Sequence, residues 1–220
     1  MRHRNKGRKL GRNPNHQRAL LRNLACALIL TERDSDDPIF DPEGRVGPRP
    51  PKVKGRIVTT VHKAKEVRPL VEKCITIARK SLPHAAKAAE FESTADRNTE
   101  QWRDWRKSEN WQRWCEARAP VVAARRRALK LLGDKQAVSV LFEEVAPRFA
   151  DRDGGYTRIL QLAKPRLGDA GKQAIIEFVG VNDRVAERSE KPAFAADDEA
   201  APEAEAAPEA EEESKQDDGN

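Results

Sequence analysis

The sequence predicts an α/β (α+β) fold that combines several amphipathic helices with three short strands. Apolar residues recur every three or four positions in 14–30 and again in 61–79, as expected for helices with one buried face. Three short runs rich in β-branched and other apolar residues, 56–60, 156–162 and 174–179, indicate strands. Helices and strands are interleaved along the chain, so both element types are expected to share one core.

The first helix is predicted to begin at Pro14, because Asn13 can cap it and proline is tolerated in a first turn. Arg18 and Arg22 fall on a different side of this helix from its leucines. The leucines that share one face are Leu20, Leu24 and Leu28. A helix with one apolar face and one arginine face can pack on a core and contact a phosphate backbone together.

The strand at 56–60 leads into a second predicted helix that runs to about Arg79. Its buried stripe comprises Ala64, Val67, Val71, Cys74 and Ala78. Pro69 lies inside this stretch, and an interior proline costs roughly 3 kcal/mol. We therefore expect a kink at Pro69 or a helix that begins only there.

The formal net charge of +6 conceals a strong asymmetry between the two ends of the chain. Residues 191–220 contain eleven acids and two lysines, a net charge of −9, so subtraction leaves 1–190 at about +15. Residues 1–12 contain six Lys or Arg and no acid, and no acid appears before Glu32. A basic arm of this kind suits a polyanion, whereas the low-complexity acidic end is expected to be disordered. The alternative for the arm is a merely solvated basic tail.

All four tryptophans fall within 84–119, in the pairs Trp102/Trp105 and Trp111/Trp114. Each pair can meet on a helix surface, but the two pairs do not form one stripe at 100° per residue. We therefore expect a helical hairpin or a bent helix with its own small cluster. For these tryptophans, a structural or partner-contact role is favoured over a role in stacking on RNA bases.

Gly133 is predicted to stop a helix, and Asp134 to cap the next one, which carries a clean apolar face up to Pro147. The last two strands are predicted to be joined by a basic loop at about 163–172. This loop contains Lys164, Arg166 and Lys172.

The sequence contains no pattern that indicates catalysis, metal binding or a membrane span. Nucleophile, phosphate-loop and metalloprotease motifs are absent, so we expect no enzyme and no cofactor. The aspartates in 34–41 lack the glycine and closing glutamate of a calcium loop, and the three cysteines form no CxxC pair. Cys26 and Cys74 are instead predicted to be small core residues. Residues 19–30 superficially resemble a signal peptide, but Arg22 interrupts them and no cleavage site follows, so a reducing cytoplasm is expected.

Several blocks resemble, in order, the bacterial ribosomal protein seventeen family of the large subunit. They are MRHRNKGRKLGRNPNHQRALLRNLACALI, TTVHKAKEVRPLVEKCITIARK and LFEEVAPRFADRDGGYTRIL followed by PRLGDAGKQAIIEFV. The resemblance implies a two-layer domain of about four helices on a small mixed sheet. It also implies a cytoplasmic structural component of the large ribosomal subunit, near the nascent-chain exit region, whose partners are large-subunit rRNA and neighbouring ribosomal proteins.

Carried over by position, the resemblance implies RNA contacts in the arm, the first helix, the KAKE block and the RDGGYTRI block. For Tyr156 the alternative of simple core packing is strong. The candidate RNA-binding residues, with Arg166 added from the basic loop, are Arg2, His3, Arg4, Lys6, Arg8, Lys9, Arg12, His16, Arg18, Arg22, Lys63, Lys65, Arg148, Arg152, Tyr156, Arg158 and Arg166.

The predicted organisation is a basic arm at 1–13, a domain at 14–185 and a disordered acidic tail at 186–220. Relative to the family pattern, the domain is interrupted by insertions at about 31–56 and 83–122. Two further hypotheses remain open from the sequence. A free nucleic-acid chaperone or nucleoid protein would bind duplex DNA and RNA alike, and a protein-interaction module would use Trp102, Trp105, Trp111 and Trp114 as its docking surface.

Overall fold

The computed structural model describes residues 8–33, 50–51 and 53–180. Predictions for 1–7, for the aspartates in 34–41 and for the acidic tail at 186–220 therefore lie outside the described residues. These include four of the candidate RNA contacts: Arg2, His3, Arg4 and Lys6.

Five helical segments and three strands follow one another along the described chain. Helix α5 continues through a π-helical turn, Leu141–Val145, and a final turn, Ala146–Arg148. In chain order the elements are α1 (Pro14–Leu30), β1 (Arg56–Thr60), α2 (Val61–Ala89), α3 (Glu100–Lys107), α4 (Glu109–Leu132), α5 (Lys135–Val140), β2 (Thr157–Gln161) and β3 (Gln173–Phe178).

The three strands form an antiparallel sheet in the order β1-β3-β2. Alternate residues of β3 point to opposite faces, as strand geometry requires. Ala174, Ile176 and Phe178 are buried on the inner face, where α2 packs. On the outer face Val58 and Leu160, which both pair with Ile175, remain 58% and 43% exposed. The domain therefore has two layers, with helices covering the inner face of the sheet.

Helix α2 lies at the centre of the core and contacts α1, α4 and all three strands. The predicted apolar stripe is confirmed, since all five of its members are buried. Cys26 and Cys74 are also buried, as predicted. Burial raises the pKa of Cys26 to about 11 and that of Cys74 to about 12, so both remain neutral thiols at physiological pH.

The α+β class is confirmed, but two details of the expectation need correction. The sheet of the described chain is antiparallel rather than mixed, because β2 and β3 form a hairpin and β1 pairs antiparallel with the other edge of β3. Helix α2 neither begins at Pro69 nor ends near Arg79, since it runs from Val61 to Ala89 through two prolines. Its buried stripe makes tertiary packing strong enough to override the local penalty of proline.

Residues 91–118 form the tryptophan hairpin, in which α3 packs against the start of α4. The predicted local cluster is confirmed. The ring of Trp105 meets that of Trp111 edge-on at 5.0 Å, and Trp111 stacks on Trp114 at 5.1 Å. The Trp105 indole N–H also donates to the carbonyl of Phe91, at 3.1 Å. These rings are half-buried and form a small cluster of their own beside the main core.

Candidate nucleic-acid interface

The base of the basic arm is held by contacts that its sequence encodes locally. Asn13 caps α1, as predicted, by accepting a hydrogen bond from the backbone N–H of Asn15 at 2.8 Å. The Gln17 side-chain amide donates to the carbonyl of Gly11, at 2.6 Å. Gly11 has φ +133°, a value that side chains rarely adopt, and a Cβ there would lie 3.4 Å from His16. Glycine therefore lets the arm turn closely over the start of α1.

Arg8 joins the arm to α2. Its backbone N–H and its guanidinium both donate to the Glu66 carboxylate, at 3.1 and 3.0 Å. Glu66 follows Lys63 by three residues and Lys65 by one, so the arm base lies beside the KAKE block. The structure thus brings together two groups of candidate residues that are more than fifty positions apart in the sequence.

The remaining candidates of this region are available to an external ligand. Among the described residues, none of them forms an ion pair. Lys9, Arg12, His16, Arg18 and Lys65 are exposed, and Lys63 is half-buried. Arg22 is also exposed, although one of its guanidinium nitrogens donates to the carbonyl of Lys130 at 3.3 Å. A set of cations without local counter-charges attracts phosphate groups over several ångströms.

Arg148 has an internal role in the fold. Its guanidinium donates to the Glu32 carboxylate at 2.9 Å and to the carbonyl of Val179 at 3.1 Å. It therefore ties the end of α5 to the segment after α1 and to the end of β3. A Cβ at Gly55 would lie 2.3 Å from a Glu32 oxygen, so glycine at this position makes room for the ion pair.

We predict that Arg148→Met lowers the free energy of unfolding by about 1.5 to 3 kcal/mol, because hydrogen bonds from a charged group are lost. The partner Glu32 is only 13% exposed and would lose its counter-charge. Urea unfolding measures the effect. The control is Arg126→Met, an exposed arginine of α4, for which a change within about 0.5 kcal/mol is expected. Equal stability of the two variants would contradict this role for Arg148.

Two further candidate arginines are also engaged within the fold. Arg158 on β2 and Arg56 on β1 both pair with Glu177, which lies between them on β3 and is 4% exposed. Arg152 donates to the carbonyl of Gly154 at 3.0 Å, while its own carbonyl accepts from Arg79 at 2.9 Å. Arg158 is therefore engaged in an ion pair across the sheet, whereas the Arg152 side chain is attached to its own turn and has no acidic partner among the described residues.

Arg166 stabilises the loop between β2 and β3 through contacts within the loop. It contacts the Asp169 carboxylate through two nitrogens, at 2.9 and 2.5 Å. This guanidinium holds the pKa of Asp169 well below its usual range, with a smaller contribution from the backbone N–H of Gly171. Lys164 and Lys172 of the same loop are exposed, and among the described residues they form no ion pair. Of the three basic residues of this loop, these two are therefore the ones that remain available to an external ligand.

Tyr156 lies in the core and is 1% exposed. Its ring centroid is 5.1 Å from that of Phe149. This placement favours the packing alternative and removes Tyr156 from the surface as a direct RNA contact.

Sequence reasoning overlooked a second group of cations, on α2 and α4. Residues 73–89 and 117–133 contain no acid, yet they hold nine Lys or Arg residues and His84. In the sequence, this group corresponds to two separate acid-free stretches. The stretches form one basic surface only because α2 and α4 pack together in the fold.

Other chemistry finds little support in the described part of the chain. No cluster of His, Cys, Asp or Glu there is suited to hold a metal ion. None of the described helices combines the length and apolar character needed to cross a membrane.

The fold and its surface define a basic α+β protein with an acid-free region suited to a polyanion. The profile of one family, Ribosomal protein L17, matches residues 53–179. The large ribosomal subunit protein bL17 of Rhodopirellula baltica is 55% identical over 207 residues, which cover 93% of this chain and 94% of that protein. The bL17 proteins of Koribacter versatilis and Acidobacterium capsulatum are 36% and 33% identical, over 89% and 88% of this chain and 82% and 81% of theirs. The chain belongs to the ribosomal protein L17 family.

Proposed function

We propose that this chain is a structural constituent of the cytoplasmic large ribosomal subunit that binds and stabilises large-subunit rRNA, near the nascent-chain exit region. One observation carries the proposal: apart from Arg8, which pairs with Glu66, the described cations at the arm base and on α1 are exposed and form no ion pair. No acid precedes Glu32 in the sequence. Membership of the L17 family supports ribosomal RNA as the polyanion.

The proposed RNA surface is the arm together with α1 and the KAKE block. From the sequence alone, Arg2, His3, Arg4 and Lys6 are included as further phosphate ligands. Arg8 and Arg22 lie at the border of the surface. Phosphate contacts of this kind supply affinity through the release of counterions and need no base readout. Glycines at 7 and 11 allow the arm to follow an irregular RNA surface. Arg148, Arg152 and Arg158 are proposed to stabilise the domain that presents this surface.

A competition experiment tests the proposal against a free nucleic-acid chaperone. Labelled large-subunit rRNA is bound by the full chain at near-physiological salt and displaced by small-subunit rRNA or by duplex DNA of equal nucleotide content. A structural ribosomal protein with one rRNA site should require a large excess of either competitor. Displacement by both competitors at a concentration equal to that of the labelled rRNA would favour the chaperone and contradict the proposal.

The tryptophan hairpin is proposed as a contact for a neighbouring ribosomal protein. Residues 91–118 contain six acids and six Lys or Arg residues, so the hairpin has no net charge in a strongly basic domain. Arg106 lies over the rings of Trp102 and Trp111, at 4.9 and 4.8 Å. Half-buried Trp beside an exposed Arg, without excess charge, is typical of protein interfaces.

Two variants test this contact: deletion of 91–117, and replacement of Trp102 alone by Ser. Either change should remove cross-links to a neighbouring protein in the subunit. The rRNA affinity should stay within about twofold, because few phosphate contacts are lost. Trp102 contacts Arg106 but is not part of the ring contacts among the other three tryptophans, so its replacement spares their cluster. Mass spectrometry of cross-linked subunits measures the contact. Loss of rRNA binding with unchanged protein cross-links would contradict the assignment.

A further inference from the structure

A groove of about 510 Å³ runs between α2 and α4, on a part of the domain that contains none of the candidate RNA contacts. Four basic side chains line it. Lys73, Lys80 and His84 come from α2, and Arg127 comes from α4. All four are exposed.

The spacing of the α2 residues places their side chains in one row. Positions separated by seven and eleven residues lie on the same face of an α-helix. With a rise of 1.5 Å per residue, the row from Lys73 to His84 is about 16 Å long. Arg127 faces this row across the groove. The arrangement is an elongated track of positive charge.

The charge of this track is not balanced by neighbouring acids. Residues 73–89 and 117–133 are acid-free. Glu72, which immediately precedes Lys73, uses one carboxylate oxygen to accept from Arg68 at 3.0 Å and from the Thr157 hydroxyl at 2.9 Å. Glu143, on α5, pairs with Arg125. Within the described chain, the four groove residues therefore form no ion pair.

The floor of the groove is small and aliphatic, formed in part by Pro120, Ala123 and Ala124. The hydroxyls of Thr76 and Ser81 donate to carbonyls of their own helix, at 2.9 and 2.6 Å. The cations are thus the main donors that the groove offers to a ligand. The centres of protein–protein interfaces are rich in aromatic residues and poor in charges. The lining of this groove includes no Phe, Tyr or Trp and has four basic residues.

We propose that the α2–α4 groove binds backbone phosphates of RNA and forms a second contact surface, separate from the arm. Phosphate oxygens accept hydrogen bonds from Lys and Arg, and each neutralised phosphate releases counterions. The small side chains of the floor allow a sugar–phosphate backbone to approach closely. This inference rests on the proposed function in one respect, that the chain binds rRNA.

The first test removes three groove charges in the full chain by Lys73→Gln, Lys80→Gln and Arg127→Gln. The slope of log K against log salt for large-subunit rRNA should fall by about 2 to 3, since each phosphate contact contributes about 0.7 to 0.9. The matched control is Arg103→Gln, Lys107→Gln and Arg113→Gln in the tryptophan hairpin. It loses the same charge from an almost neutral surface, and its slope should equal that of the unaltered protein.

The second test needs no variant. In the unaltered protein, acylation of amines should modify Lys73 and Lys80 more slowly when rRNA is bound, whereas Lys107 should react at the same rate with and without rRNA.

Two outcomes would overturn the groove assignment alone. One is an equal salt slope for the two triple variants, and the other is unprotected groove lysines in a protein that binds rRNA. Protection of both lysines before rRNA is added, unchanged afterwards, would place an acidic protein segment in the groove and overturn it as well. Failure of the unaltered protein to prefer large-subunit rRNA would instead count against the proposed function.

Discussion

Removal of residues 1–12 should weaken binding to large-subunit rRNA more than any other change to the surface. The segment carries six Lys or Arg residues and no acid. If all six contact phosphates, the slope of log K against log salt should fall by about 4 to 5. Filter binding at several salt concentrations measures the slope. The loss should be largest at low salt, where the release of counterions contributes most to affinity.

Two variants separate the charge of the arm from its length. Replacing its six Lys and Arg residues by Gln keeps the chain length and should reproduce most of the loss. Removing the last twelve residues, 209–220, shortens the chain equally but takes away acids, so the slope should not fall. An unchanged slope after removal of the arm would show that the arm is not the main RNA contact.

Tyr156→Ala should produce the largest loss of stability among the candidate residues. The side chain is 1% exposed and packs against Phe149. Truncation of a buried aromatic ring to alanine typically costs about 3 to 5 kcal/mol. Chemical denaturation followed by circular dichroism measures the free energy of unfolding.

Tyr156→Phe distinguishes packing from RNA contact. The Tyr156 hydroxyl is buried and has no hydrogen-bond partner among the described residues. Its removal should change stability by less than about 1 kcal/mol, because no intramolecular hydrogen bond is broken. Binding to rRNA should also be unchanged. Loss of rRNA affinity in a stable Tyr156→Phe protein would show that the hydroxyl reaches RNA after all.

The features predicted correctly from the sequence are those that local chemistry controls. Strand β1 coincides with the predicted run 56–60. Gly133 ends α4 with φ +82°, and Asp134 caps α5 by accepting from the backbone N–H of Gln136. Asn13 caps α1 in the same way. In each case the signal and the structure lie within a few residues of one another.

The features missed depend on contacts between distant segments. The buried stripe carries α2 through Pro69, a result that proline propensity alone argues against. The resemblance implies RNA contacts for Arg148 and Arg158, whereas their carboxylate partners, Glu32 and Glu177, are identified only from the fold. The same limit applies to the α2–α4 groove, whose cations come from two helices separated by the tryptophan hairpin. A basic residue is an available cation only when the fold leaves it without an acid.

Fractionation of cell lysate on a sucrose gradient measures whether the chain is a constituent of the large ribosomal subunit. The tagged full-length chain should sediment with the large ribosomal subunit, remain there at moderate salt and reach about one copy per subunit by quantitative mass spectrometry. The variant without residues 1–12 should shift toward the top of the gradient as salt increases. Absence of the full chain from the large-subunit peak at low salt would contradict a structural role in that subunit.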